Sequence, residues 1–220
     1  PSERYTLVVI SDHQKRQTNE SLSLLPITLL KPNFLRSSKA KALHYAIGGI
    51  EGEYDNVVIL DADNVVESDF LSRLNIMQDK GYKAIQCHRC AKNSDSSISI
   101  LDGISEEINN TLFRKSHNII GLSSALIGSG MCFNYQWFKD NVTKLSTAGE
   151  DRELEVLLLK QGIFIKYADH IPVFDEKVSN EENFQRQRQR WMSAQINCLL
   201  SMLPYLPKAF IRGNINFIDK

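Results

Sequence analysis

Two short apolar runs constrain this chain most: residues 5–10 (YTLVVI) and 56–60 (NVVIL) lack the polar alternation of a half-exposed strand, and each runs into an acidic residue. Continuous β-branched runs read as strands buried on both faces, the pattern of a sheet covered by helices. Helical spacing follows each. Lys39–Gly49 (KAKALHYAIGG) ends in a double glycine, and residues 67–80 place Phe70, Leu71, Leu74 and Met77 on one stripe. Further strands are expected at 83–87, at 163–167 and near Val173. Helices are expected over 97–117, over Glu150–Lys160 with Gly162 as its stop, and over Glu181–Met202 up to Pro204. Residues 121–133 (GLSSALIGSGMCF) read as a strand or loop lining something. Strands alternating with helices predict an α/β fold with a mostly parallel central sheet, and such sheets bind ligands beyond the carboxyl ends of their strands.

The 220 residues suffice for one such domain, and 26 basic against 26 acidic residues leave no overall field for nucleic acid or an anionic membrane. A charged ligand must therefore be held by local chemistry. Cys87, Cys90, Cys132 and Cys198 are too sparse for a disulfide framework, and a reducing compartment is expected. Cys87 and Cys90 flank His88 in a C-x-x-C, but no second pair completes a zinc set. No run of apolar residues is long enough to span a bilayer.

The sharpest motif is Asp61-Ala62-Asp63, directly after NVVIL. Side chains at i and i+2 of an extended chain point the same way, so both carboxylates address one spot at the sheet's carboxyl edge. Two hard oxygen ligands suit Mg²⁺ or Mn²⁺ bridging a diphosphate. A polar turn closing the strand accounts for the same letters. A second motif is Glu150-Asp151, where Thr147-Ala148-Gly149-Glu150 spells a capping box. Capping accounts for Glu150 and leaves Asp151 free to act as a general base for a hydroxyl nucleophile. A third lies in the last long helix, where spacings of three and four put Gln187, Arg190 and Trp191 on one face. That face offers an amide, a guanidinium for a phosphate and a flat wall for a sugar ring. A solvated basic helix anchored by its Trp reads equally well.

In this order, strand-D-A-D, Glu150-Asp151 and Q-x-x-R-W resemble the motif set of family 2 glycosyltransferases of the GT-A fold, in the cellulose synthase and hyaluronan synthase-like branch. Lys39 with Ala42-Leu43 is similar to the family's lysine before an A-L-N segment, with His44 in place of the asparagine, and Gly128-Ser129-Gly130 precedes Glu150-Asp151 as in the family. The resemblance implies a Rossmann-like GT-A sheet that here lacks the family's first strand and its P-x-Y-N-like loop, so that the chain is expected to be a piece of a longer protein. It implies an inverting transfer from a nucleotide-diphosphate sugar, with UDP expected, to a saccharide or lipid-linked acceptor. Asp12 would then lie near the base, Lys39 near the nucleotide or its phosphates, Asp61 near the ribose and metal, and Asp63 on the metal. Asp151 would be the base, with Glu150 beside it in the catalytic pair, while Gln187, Arg190 and Trp191 would serve the acceptor and leaving diphosphate. His170 stands where some GT-A enzymes place a histidine metal ligand, although this is not usual in this branch.

The resemblance also divides the chain into a catalytic domain, 1–203, and a tail, 204–220, that continues the apolar INCLLSMLPYLPKAFI segment and is expected at a membrane interface. The parent protein is accordingly expected on the cytoplasmic face of the cell membrane, anchored by segments outside this chain. Two other functions compete. ILDADNV is similar to the opening of haloacid dehalogenase-like phosphatases, with Asp61 as nucleophile, though Glu150-Asp151 follows no apolar strand. A domain that binds nucleotide or glycan without turnover is the other.

Overall fold

The computed structural model describes residues 4–147 and 149–220. In chain order the elements are β1 (Val8–Ile10), α1 (Arg16–Ser23), β2 (Thr28–Leu30), α2 (Lys39–Gly49), β3 (Asn56–Ile59), β4 (Val65–Val66), α3 (Phe70–Asp79) and β5 (Ala84–Ala91). They continue with α4 (Ser97–Asn109), a π-helical stretch (Asn110–Lys115), α5 (Ser116–Ile119), β6 (Met131–Asn134), α6 (Tyr135–Val142), α7 (Glu150–Lys160), β7 (Ile165–Asp175) and α8 (Glu181–Met202). A short 3₁₀ turn (Leu203–Tyr205), α9 (Leu206–Ile211) and α10 (Ile215–Ile218) close the chain.

The α/β class is as expected, but the pairing is mixed. β1 and β2 form a parallel pair of their own, and the main sheet has the order β3-β6-β5-β7-β4. β3, β5 and β7 point the same way. β6 enters between β3 and β5 in the opposite direction and β4 caps β7 antiparallel, so the only parallel ladder of this sheet among the described residues is β5–β7. The Gly-rich stretch at 121–133, which carries no helical crossover, delivers β6 from the carboxyl edge, and that reverses its direction. The strands expected at 163–167 and near Val173 are one strand, β7, broken by an irregularity opposite Cys87/His88.

Alternate residues of the strands serve two cores. Ile59, Ala84, Met131, Phe133 and Ile165 face α2, α6 and α7, where Leu43, Phe138, Leu154 and Leu158 complete one cluster. Ile85, Cys132 and Val173 face α3 through Phe70, Leu74 and Met77. The tail joins the first cluster: Ala209 and Phe217 are buried in it, and Asn214 donates to the Leu159 carbonyl at 2.7 Å. Phe210, Ile211 and Ile215 of the same tail stay exposed.

β3 and β4 lie at opposite edges of the sheet yet only five residues separate them. The Asp61 carbonyl accepts from the Asn64 N–H at 3.1 Å, so these residues form a tight turn. A link shortened in this way reaches less than about 18 Å, whereas four flat strand spacings need about 19 Å. The sheet must curl, and the D-A-D turn is the strap across its carboxyl end.

α4 is inverted. Ser99, Asp102, Glu106, Asn110 and Arg114 face inward along it and the π stretch, while Leu101, Ile104, Ile108, Leu112 and Phe113 face solvent, each more than half exposed. Its inner face meets a buried ion network: Glu106 lies 2.7 Å from Arg89, 3.1 Å from Arg114 and 3.4 Å from Lys177. Burial alone would raise the Glu106 carboxyl, and these three cations bring it down to about 2.

Candidate active site

Five connections at the carboxyl edge supply the site: the D-A-D turn after β3, the 128–130 loop before β6, the end of β7, and the first residues of α2 and α7. Lys39 is the first residue of α2, capped by Ser38. A cation there opposes the helix dipole, so its placement is set by the site and not by helix stability. The Lys39 ammonium donates to the Asp61 carboxylate and, at 2.6 Å, to the Gly128 carbonyl, and stands 3.7 Å from Glu150 Oε1. Gly128 has φ +78°, and a methyl group on it would stand 3.7 Å from both Glu150 Oε1 and Asp151 Oδ2. Lys39, Glu150 and Asp151 thus meet at one glycine and Lys39 brings in Asp61, so three distant parts of the sequence gather around Gly128.

The capping box is not formed. Gly149 is the N-cap of α7, without a side-chain cap bond, and Ala148 lies outside the described residues. Glu153 does the reaching back instead, accepting from the N–H of Ser146 at 2.8 Å and of Thr147 at 3.3 Å. Glu150 is withdrawn from capping because its side chain is buried toward Lys39. Burial, and then the neighbouring Asp151, raise its carboxyl to about 7 against the restraining Lys39. Asp151 is half-buried at the first turn of α7 and turned to the same loop.

Asp63 is exposed, and its carboxyl is raised by partial burial, then by Asp175, with Asp61 adding to it. A cation would relieve that repulsion. Among the described residues no three His, Cys, Asp or Glu side chains form a metal-holding group. The donor set fits a hard divalent ion that takes one or two carboxylates from the protein and further oxygens from a bound diphosphate.

The loop between these groups is pinned by polar residues that the sequence reading passed over. Gln86, fully buried in β5, donates to the Ser129 carbonyl at 2.9 Å and accepts from the Ile127 N–H at 3.1 Å. Arg89 donates to the Ile127 carbonyl at 3.0 Å, and Glu155 accepts from the Leu126 N–H at 2.9 Å. A Gln and an Arg within the stretch AIQCHRCA were the available signal. Asn64 and Asp175, which bond each other at 3.1 Å, were also missed.

The third motif reaches the same side of the molecule. A methyl group on Gly149 would meet Ala194 Cβ at 3.0 Å, and Cys198 Sγ lies 3.9 Å from the Arg152 carbonyl, so α8 crosses the start of α7. Gln187, Trp191, Ala194 and Cys198 follow helical spacing, which puts the amide and indole on that crossing face. Gln187 and Arg190 line a cavity of about 450 Å³ with Val178, Asn183 and Arg186, and Gln187 Oε1 is buried without a partner. Arg188, between them, turns to α4, 3.2 Å from Asp102.

Two expected residues lie apart. Asp12 lies two residues past β1, where it accepts weakly from the Phe34 N–H at 3.4 Å and lies 3.5 Å from His13; none of these contacts reaches Asp61 or Glu150. His170 sits in the β7 irregularity, exposed, 3.6 Å from Asp169. In the C-x-x-C, Cys87 is buried in the α3 core and Cys90 half-buried, both as free thiols.

The model of the glycosyl transferase family group 2 matches residues 56–213, from β3 through the tail. The chain belongs to this family. Membership sets aside the phosphatase reading of Asp61. Comparison with curated protein sequences found no matching relative. Among solved structures, glucosyl-3-phosphoglycerate synthase from Mycobacterium tuberculosis superposes with a TM-score of 0.58 at 13% identity, over 87% of this chain and 68% of that one. S. aureus TarS 1-349 superposes with a TM-score of 0.55 at 13% identity, over 80% of this chain and 52% of that one. This chain therefore spans about half of the TarS fragment. At such identity the likeness shows the fold, which is that of the family's glycosyltransferase domain.

Proposed function

We propose that this domain transfers a sugar from a nucleotide-diphosphate sugar, UDP being the expected nucleotide, to a hydroxyl of a saccharide or lipid-linked acceptor by a single inverting displacement. The observation that carries it is the gathering of Lys39, Asp61, Glu150 and Asp151 around Gly128 at the carboxyl edge of a family 2 domain. The mycobacterial synthase has been crystallised with Mn²⁺, UDP-glucose and glycerol 3-phosphate, and TarS with UDP-GlcNAc, which supports a nucleotide-sugar donor here.

In this reading Asp61 and Asp63 hold Mg²⁺ or Mn²⁺, which when bound offsets charge on the diphosphate. Asp12 serves the nucleotide base. The Asp151 carboxylate takes the acceptor hydroxyl proton as that oxygen bonds to the anomeric carbon, and the bond to the diphosphate breaks with its electron pair leaving on the diphosphate oxygen. Lys39, beside Asp61 and the Gly128 carbonyl, and Arg190 would add positive charge for that leaving group. Glu150 keeps Lys39 near the diphosphate. Gln187 and Trp191 shape the acceptor path, and the unpartnered Gln187 oxygen is free to accept from an acceptor hydroxyl.

The deciding experiment incubates the full-length parent protein with UDP- and GDP-sugars, Mn²⁺ or Mg²⁺, and saccharide or lipid-linked acceptors. The Asp151→Asn variant should bind UDP as the wild type does and lose transfer by about 10²–10⁴-fold. Undiminished transfer would remove the base assignment, and UDP binding with no turnover by the wild type would favour the binding-only alternative.

We also propose that the parent works at the cytoplasmic face of the cell membrane. No helix among the described residues is long and apolar enough to cross one. The support is the apolar outer face of α4 together with exposed Met192, Ile196, Leu199 and Leu200 on α8 and Ile211 and Ile215 in the tail.

A further inference from the structure

Asn64, the residue after the D-A-D turn, uses every hydrogen-bonding position of its amide. Its oxygen accepts from the Asp61 N–H at 3.0 Å and from the Ser129 hydroxyl. Its nitrogen donates to Asp63 Oδ1 at 3.2 Å and to Asp175 Oδ1 at 3.1 Å. The partners belong to three connections at the carboxyl edge, so one side chain ties the turn to the 128–130 loop and to the end of β7. The tie continues a backbone ladder: Val65 pairs with Phe174, and Asn64 and Asp175 form the next rung through their side chains.

Asp175 is a fixed anchor. Its Oδ2 takes Lys177 at 3.1 Å and Arg89 at 3.5 Å, and both cations also hold Glu106 beneath the surface. Among the described residues the Asp63 carboxylate has no ion pair of that kind: Lys92 bonds the Asp63 carbonyl at 3.2 Å and not the side chain. Asp63 is exposed, it carries the same charge as Asp175, and the Asn64 amide stands between the two carboxylates as donor to both. With that donor removed, Coulomb repulsion drives Asp63 away from Asp175 and out of the turn. The Asp61 carboxylate has a holder of its own in Lys39, and Asn64 touches Asp61 only at its N–H.

We propose that Asn64 is a positioning residue for the divalent cation: by bonding Asp63 to the anchored Asp175, it keeps the Asp63 carboxylate in place beside Asp61. The inference rests on the reading of Asp61 and Asp63 as the cation-binding pair, and adds the group that holds one of them.

The test is Mn²⁺ binding in saturating UDP, followed by the electron paramagnetic resonance signal of free Mn²⁺ and needing no turnover. Asn64→Ala should raise the Mn²⁺ dissociation constant about tenfold or more, the range seen when a group orienting a metal ligand is lost. UDP binding without metal should be unchanged. Asn141→Ala is the stability control, since buried Asn141 donates to the Trp137 carbonyl at 2.7 Å and accepts from the Gln161 amide at 3.1 Å, without touching the turn, Asp175 or the cations that hold it. It should lower the melting temperature and leave Mn²⁺ affinity as in the wild type. If Asn64→Ala does not fold, Asn64→Ser carries the same expectation, since a hydroxyl cannot span from the turn to Asp175. Wild-type Mn²⁺ affinity in the Asn64 variant, or an equal loss in Asn141→Ala, overturns the positioning role alone. No Mn²⁺ binding by the wild type overturns it together with the cation reading.

Discussion

Glu150 is a buried carboxyl whose proton affinity is set by its surroundings: burial and Asp151 push it up to about 7 from an ordinary 4.5, and Lys39 restrains it. Between those two values the folded protein holds a proton that the unfolded chain has released, so stability falls as pH rises from 4.5 to 7 and the loss is complete above 7. Glu150→Gln removes this dependence. The variant's gain over the wild type should be smallest near pH 4.5, grow through pH 6 and level off above pH 7 at a few kcal/mol, on the order of 3. Urea unfolding at several pH values measures it, and a difference that does not change with pH would refute the account. Lys39 keeps Asp61 and the Gly128 carbonyl as partners in that variant. At this scale the sequence named Asp61, Asp63, Glu150 and Asp151 but gave Glu150 a cap as well as a place in the catalytic pair. The letters of a capping box do not say whether the glutamate finds a stronger partner elsewhere, and here a lysine 111 residues earlier supplies it.

Among the elements, α2, α7 and α8 run over the residues that hydrophobic spacing, glycine stops and Pro204 marked out. Where the period was weak, as over 13–38 and 135–142, the reading left α1, β2 and α6 unassigned. α4 shows a different failure. Its amphipathic period is genuine, but its polar stripe faces the protein, because Glu106 and Asn110 meet Arg89, which lies beyond the strand expected at 83–87. The charged residues beside the outer apolar stripe are already paired, Glu107 with His88 at 2.9 Å and Lys115 with Asp169 at 3.0 Å. Replacing Ile104 and Ile108, each 52% exposed, by serine therefore removes mainly solvent-facing apolar surface. The double variant should keep the wild-type melting temperature to within about 1–2 °C and co-sediment less with phospholipid vesicles. Undiminished co-sedimentation would rule out α4 as the membrane-facing element.

The whole molecule is held by a curled sheet between two cores, and the tail belongs to the larger of them. Phe217 is 1% exposed in the cluster that contains Phe133 and Phe138. Lys160 of α7 lies 3.4 Å over the Tyr205 ring, and Asn216 accepts from the Ser123 N–H at 2.6 Å. Phe217→Ala should therefore cost about 3–5 kcal/mol and lower the melting temperature by roughly 10 °C in a single transition. A separate low-temperature transition would show that 204–220 is an independent appendage.

By itself the sequence determined the α/β class, the strands ending in carboxylates and the three motifs, because buried strands, helix stripes and stop residues are local and carry their period in the letters. Only the tertiary structure decided that β6 runs against its neighbours, that the D-A-D turn straps a curled sheet, and that Asn64, Gln86 and Asp175 hold the site. Those facts depend on which distant polar groups meet once water is excluded. A buried hydrogen bond leaves no spacing in the chain by which to find it.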